Sequence, residues 1–445
     1  MALSGVEIFK LLPKTNCKEC GVPTCLAFAM KLAAKQASLD QCPYASDEAK
    51  KVLGAAAEPP IRVVTIGTGD NAVKMGDEVV LFRHDKKFFN PTAIALAVND
   101  DDANIDAKVA AVKNSVIERV GQFLRVNAIT VIDKSGDAAK FAAVVAKVVA
   151  ADIPVILHTK NAAVAEAGVK SAAGKKPMIY AADESNAEAM AGVAKAGGAS
   201  LAITAKGLDA LTALSEKVKG LGVDDIVLDS GARTAKEMIH DYTMIRRAAA
   251  KKNFKPLGYP VIGFACRDNA QAETAITAVG IMKYASLVVV NSIEKWQNIA
   301  LFTLRQNIFT DPQVPMQVEE KIYKIGEPDA NSPLMITTNF SLTYFIVAGE
   351  VENSKVPCWL AIMNNEGLSV LTAWAAGKFT AGNIAKFINE IGADKVVGHK
   401  ELIIPGYVSV LSGSLEDKLG GGWKVVVGPR EANQLPAFLK QKVAA

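Results

Sequence analysis

The 445-residue sequence predicts a multidomain α/β protein: a small helical domain, a central (β/α)8 TIM barrel and a C-terminal Rossmann-like α/β domain. Three observations predict it. Four of the six cysteines fall within the first 42 residues. In the middle of the chain, eight β-branched runs alternate with Ala-rich amphipathic stretches. Turn-rich KIGEPDANSP, 324–333, then precedes a fresh set of strand-like runs. Length agrees, since about 150 residues per domain allows roughly two to four domains.

Composition narrows the partners. Apolar residues make up 50% and charged residues 22%, an ordinary globular balance. Lys plus Arg is 50 against 46 for Asp plus Glu, so the net charge is +4 and no basic run stands out. That is too little for an electrostatic nucleic-acid footprint. No apolar stretch reaches the roughly 18 residues of a membrane span, so no membrane partner is expected. MALSGVEIFK has neither a basic region nor a long apolar run, so a cytoplasmic protein is expected.

The first element, 1–57, is set by its thiols. Cys17-x2-Cys20-x4-Cys25-x16-Cys42 is followed at once by Pro43. In a reducing compartment such a cluster points to metal ligands rather than disulfides. Gly21 and Pro23 bend the backbone so that amide N–H groups can face cluster sulfides. Structural zinc usually takes two CxxC knuckles, and here only Cys17/Cys20 forms one. A 4Fe–4S cluster fits better, with zinc and unligated core thiols as the other readings. Ser4 and Glu7 can form a capping box for a first helix, and Leu26, Phe28, Ala29, Leu32 and Ala33 fall at helical spacing for a second. Pro-marked GAAAEPPIR, from Gly54, opens a linker expected over 58–91.

The second element is the barrel, expected over 92–322. Its strands are TAIALAVND, AITVID, PVILHT, PMIYAAD, LAITAK, DIVLDSG, PVIGFAC and SLVVVNS. Buried parallel strands read as continuous apolar runs, and the connections are long enough for crossover helices. A doubly wound sheet is the alternative. Polar residues gather at the strand ends: Asn99, Asp100, Asp133, His158, Asp183, Lys206, Asp229, Arg267 and Asn291. That is the catalytic face of barrel enzymes. With no phosphate loop, HExxH or GxSxG beside them, they read as helix caps and turn residues on a scaffold. Cys266 and Cys358 read as core thiols.

The third element, 323–445, contains PLMITTNF, VPCWLAIMNN, GLSVLTAWAAGKF, ELIIPGYVSV and WKVVVGPREA. These are read as strands running out into Thr337–Asn339, Leu371–Ala373, Pro405–Tyr407 and Gly428–Arg430. Open α/β sheets bind ligands outside the carboxyl ends of their strands. Small residues and free N–H groups there admit a large planar ligand.

Those motifs carry a resemblance. NCKECGVPTCLAFAMKLA with the later DQCPY, and TTNFSLTYF from Thr337, are similar to the large subunit of the corrinoid iron–sulfur protein, the acetyl-CoA decarbonylase/synthase gamma family. The likeness spans the chain. It implies a 4Fe–4S cluster on Cys17, Cys20, Cys25 and Cys42 and a corrinoid on the C-terminal domain. It also implies a small barrel subunit as heterodimer partner, a methyltetrahydrofolate:corrinoid methyltransferase as methyl donor, acetyl-CoA synthase/CO dehydrogenase as acceptor, and a reductive activator. The implied role is methyl carrier of the reductive acetyl-CoA (Wood–Ljungdahl) pathway, with the cluster relaying electrons that restore Co(II) to Co(I). Corrinoid contacts are expected at Thr338, Asn339, Thr343, Leu371, Thr372, Ala373, Gly406, Tyr407, Gly428, Pro429 and Asn433. The cobalamin signature DxHxxG is absent, which implies no protein histidine below cobalt. Two rival functions are a self-sufficient pterin-dependent barrel methyltransferase and an iron–sulfur electron carrier without corrinoid. Glycines near 54 and 326 are expected hinges.

Overall fold

The computed structural model describes residues 5–33, 37, 39–46, 49 and 59–444. The expected cap at Ser4 and the linker start and hinge at Gly54 lie outside the described residues. The chain divides into two compact units, 1–117 with 124–310, and 118–123 with 311–445.

The first unit opens with helices α1 (Gly5–Leu11) and α2 (Cys25–Ala33), packed on each other. Ile8, Leu12, Val22, Phe28 and Ala29 form their core together with Cys25 and Cys42. The Thr24 hydroxyl accepts the Ala27 N–H and so caps α2. Leu26, expected inside, is exposed, because one residue turns the helix about 100° away from buried Cys25.

The expected linker instead contains an antiparallel hairpin, β1 (Val64–Ile66) with β2 (Val73–Met75). Val64, Ile66, Val73 and Met75 are buried among barrel-interior side chains such as Ala93, Ala128 and Met178. The Gly67 N–H donates to Lys176 O and the Arg62 N–H to Gly258 O, so the hairpin closes the amino end of the barrel. Three-residue strands are too short to show their period in sequence.

All eight expected barrel strands form. They are β3 (Ala93–Asn99), β6 (Ala128–Ile132), β7 (Val155–His158), β8 (Met178–Ala182), β9 (Ser200–Thr204), β10 (Ile226–Asp229), β11 (Ile262–Phe264) and β12 (Leu287–Val290). Every neighbouring pair is parallel, and a Leu228–Val261 bridge nearly closes β10 to β11. Between β3 and β6 lies a small two-stranded sheet, β4 (Ile117–Arg119) with β5 (Gln122–Leu124). Inward residues are small on β3 (Ala93, Ala95, Ala97) and large opposite (Met178, Tyr180, Phe264), which fills the interior. Outward residues bury against the surrounding helices. In α4 (Ala138–Ala150), Phe141, Val144, Val145 and Val148 form one buried stripe, opened by an Asp137 cap on Ala139 and Lys140 N–H. The other barrel helices are α3 (Ile105–Lys113), α5 (Ala162–Ser171), α6 (Ala187–Gly197), α7 (Leu208–Gly220), α8 (Ala235–Lys252), α9 (Ala270–Met282) and α10 (Lys295–Phe309).

The second unit is a five-stranded sheet in the order β13 (Lys321–Ile325), β15 (Cys358–Met363), β14 (Leu334–Thr338), β16 (Glu401–Ile404), β17 (Lys424–Val427). Edge strand β13 is antiparallel and the other four are parallel. Numbered among themselves, the parallel strands run 2-1-3-4. That is the flavodoxin type of doubly wound sheet rather than the 3-2-1-4 Rossmann order. One face is covered by α11 (Ser341–Ser354) and α15 (Leu435–Ala444), the other by α13 (Ala381–Glu390) and α14 (Ser412–Leu419). GLSVLTAWAAGKF, read as a strand, forms the short helix α12 (Val370–Ala375). Only Ala373 of its six residues is buried, whereas a central strand would bury both faces. The unit boundary falls at 310/311, and residues 118–123 count with this unit, where Val120 is buried. Among the described residues no helix is long and apolar enough to cross a membrane.

Candidate functional site

The thiol loop is built between α1 and α2. Cys17 is exposed, Cys20 half-buried, and Cys25 and Cys42 buried in the helical core. Backbone conformation shapes the loop: Lys14, Asn16, Lys18 and Gly21 all have φ between +50° and +74°. Left-handed residues interleaved with ordinary ones turn N–H groups to one side, the geometry of an anion-holding nest. Cys25 occupies the first position of α2, so its sulfur sits at the amino end of that helix. Four soft sulfur donors with no imidazole or carboxylate among them match an iron–sulfur cluster. The thiols are not gathered into a ready group of three or more among the described residues. Closing such a loop is work that metal binding itself performs.

At the carboxyl end of the barrel the expected polar residues are engaged locally. Asp100 accepts from the Lys134 and Ser135 N–H groups and the Ser135 hydroxyl. Asp133 accepts from Gly136 N–H and the Thr159 hydroxyl. The Ser185 hydroxyl and Lys160 hold Asp183 down to about 2. Asp229, fully buried, is gripped by both Arg233 amines at 2.9 and 2.8 Å and by the Tyr180 hydroxyl at 2.7 Å. Arg233 also stacks over Phe264. Burial pushes Cys266 up to about 11, the wrong direction for a nucleophile. Each carboxylate of this set has hydrogen-bonding partners within the fold.

His158 sits edge-on to Tyr180 and Phe264 with its Nδ1 lacking a hydrogen-bond partner. Burial, then the Arg233 charge, pull its pKa down to about 4. A depressed histidine keeps the fold from taking up a proton that the unfolded chain accepts from about pH 6.5 downward. Stability is therefore lost as pH falls between about 6.5 and 4, by on the order of a few kcal/mol. His158→Phe is expected to flatten that part of the pH–Tm curve, measured by thermal melts at pH 7 and pH 4.5; an unchanged slope counts against it.

The second site lies at the carboxyl ends of β14, β16 and β17. β14 is the topological switch point: one chain crossover leaves to β15 and the next returns to β16. The structure brings Thr338 and Asn339 to the end of β14, Gly406 and Tyr407 to the end of β16, and Gly428 and Pro429 to the end of β17. Helix α12, with Leu371, Thr372 and Ala373, packs beside β14 and the 406–411 turn. Thr343 is half-buried on α11, and Asn433 is exposed just before α15. Gly406 has no room for a side chain: a Cβ would meet Gly428 O at 2.5 Å. The Gly406 N–H donates to Pro429 O and the Gly428 N–H to Ile404 O, which holds the two turns together. Leu342, Leu371, Trp374, Tyr407 and Val410 are exposed around this end.

Two polar groups there are orphans. The buried hydroxyls of Thr337 and Thr338 have no hydrogen-bond partner, which fits a ligand rich in amides. Asn339 is different. Its Nδ2 donates to Gln317 and Asn364, and its Oδ1 accepts from the Asn365 and Gly367 N–H groups. All four of its bonding positions are used, so it organises the loops after β14 and β15. Sequence reasoning missed Asn16, whose part in the thiol loop shows only as hydrogen bonds, and Asn365, a buried amide with both polar atoms unpartnered. It also missed β13, although KIYKI has a period-two pattern that could have found it.

Comparison with known proteins places the chain. A family model described as CO dehydrogenase/acetyl-CoA synthase delta subunit matches residues 63–439, and an Fe-S cluster model matches 12–44. The corrinoid/iron-sulfur protein large subunit of Moorella thermoacetica is 46% identical, with 100% of both chains covered. The acetyl-CoA decarbonylase/synthase complex subunit gamma of Methanopyrus kandleri is 34% identical over 99% of this chain and 98% of that one. Among solved structures, dihydropteroate synthase from Thermus thermophilus is similar at a TM-score of 0.41 and 14% identity, over 56% of this chain and 100% of that one. The chain belongs to the family of corrinoid/iron–sulfur protein large subunits and acetyl-CoA decarbonylase/synthase gamma subunits.

Proposed function

We propose that this chain is the methyl-carrying subunit of the reductive acetyl-CoA pathway. It would hold a 4Fe–4S cluster on Cys17, Cys20, Cys25 and Cys42 and a corrinoid against the carboxyl ends of β14, β16 and β17. One observation carries the reading: a four-thiol loop and a doubly wound sheet with a switch point occur together in a chain alike, end to end, to a corrinoid/iron–sulfur protein. When bound, the corrinoid supplies a nucleophilic cobalt that takes up and gives up a methyl group, and the cluster supplies single electrons that keep it active. The chain's residues do the holding. Gly406 and Gly428 let the turns after β16 and β17 pack directly on each other, which sets the backbone at this end of the sheet. Thr338 and Thr372 offer hydroxyls, and the exposed apolar rim gives surface for stacking.

The residues that would hold the corrinoid include no histidine. His399, the histidine of the second unit, lies at the amino end of β16, where its Nε2 meets Ser332 O and its Nδ1 accepts the Glu401 N–H. The barrel would serve as scaffold, its strand-end carboxylates being occupied. We read the chain as a cluster part (1–57), a connecting part (58–91) that carries the barrel-closing hairpin, a barrel and a corrinoid part. The last two, expected at 92–322 and 323–445, are best divided at 310/311, since β13 belongs to the second sheet. Its partners would be the small subunit in a heterodimer, the pterin-dependent methyltransferase, acetyl-CoA synthase/CO dehydrogenase and a reductive activator. Free thiols suit a cytoplasmic setting.

Iron, acid-labile sulfide and cobalt in anaerobically purified protein, co-expressed with the small subunit, test the reading. About four iron, four sulfide and one cobalt per heterodimer are expected. Iron without cobalt leaves an electron carrier, and zinc in place of iron overturns the cluster.

A further inference from the structure

Asn16 precedes Cys17 in sequence, yet its hydrogen bonds cross the loop to Cys25. Its side-chain Oδ1 accepts the Cys25 N–H at 2.8 Å, and its own backbone N–H donates to Cys25 Sγ at 3.4 Å. Cys25 opens α2, so its N–H is one of the donors a helix leaves unpaired at its amino end. The local cap, Thr24, serves Ala27 and leaves Cys25 to Asn16. Asn16 has a φ of +50°, a conformation that asparagine adopts more readily than most residues. One residue thus meets a backbone demand, satisfies a helix end and aims an N–H at a buried sulfur.

Building on the cluster assignment proposed above, we propose that Asn16 is a positioning residue that fixes Cys25 as a ligand and raises the reduction potential of the cluster. An N–H directed at a ligating sulfur favours the more negative, reduced form. The amino end of α2 acts in the same direction. Cys17 is exposed to water, whereas Cys25 is buried, so the sulfur side of the bond from exposed Asn16 is shielded from solvent.

The test uses the full chain with its partner and cofactors. Asn16→Gly keeps the left-handed backbone and its N–H but removes the Oδ1 that locks Cys25 in place. Thr24→Ala removes the neighbouring cap without touching Cys25. Cluster reduction is followed by electron paramagnetic resonance at stepped potentials, with iron and sulfide content measured alongside. For Asn16→Gly the reduced fraction at the parent's midpoint is expected to correspond to a roughly tenfold shift in the ratio, about 59 mV for one electron. Thr24→Ala is expected to match the parent. A full cluster with the parent's potential in Asn16→Gly overturns the proposal, and so does an equal shift in both variants. If Asn16→Gly loses its iron, Asn16→Asp, which keeps the acceptor, is read instead: retained iron supports the role and equal loss overturns it. A parent protein without iron and sulfide overturns the cluster assignment itself.

Discussion

The Thr372→Trp protein is expected to purify without corrinoid while retaining its cluster iron. Thr372 is exposed on α12, with its hydroxyl 2.9 Å from Ser369 Oγ, so the substitution costs the fold little. An indole there would lie beside the β14 end and the 406–411 turn, where we propose that the planar ligand approaches the backbone. Overpacking of about 1–3 kcal/mol corresponds to roughly a ten- to hundredfold loss of binding. Cobalt and iron assays on the same sample check it; cobalt at the parent's level removes Thr372 from the site.

Cys20→Ala is expected to separate two abilities of the protein. Corrinoid that has been chemically reduced beforehand still accepts methyl, because nothing at the second site has changed. Reactivation of oxidised corrinoid by a protein electron donor falls to background, because a half-buried ligand has gone from a four-thiol set. Stopped-flow comparison of the two rates is the measurement. Equal reactivation in variant and parent would refute the electron-relay role.

Much of this was readable in sequence because the signals were long or chemically narrow. Eight barrel strands announced themselves as apolar runs, and all eight form. Cys17, Cys20, Cys25 and Cys42 stand out by their spacing, which left an iron–sulfur cluster, zinc and core thiols as readings. What escaped were short or nonlocal features. β1 and β2 have three residues each, too few for a period. Leu371–Ala373 looked like a strand end because its residues are apolar, but α12 shows one buried position in six. Asn339 looked like a ligand contact, and only the network to Gln317, Asn364, Asn365 and Gly367 shows its carboxamide fully spent. Tertiary partners decide such cases, and they leave no local mark.

The hairpin at the amino end of the barrel has a mechanical consequence. With β1 and β2 seated over the interior and Asp229 locked to Arg233 at the other end, both mouths are braced against breathing. Strand amides such as those of Ile156 and Val227 then exchange with deuterium only when the barrel opens as a whole. The thiol loop around exposed Cys17 is expected to exchange by small local excursions. A stiff barrel and a yielding loop would let the proposed cluster meet an electron donor without loosening the barrel.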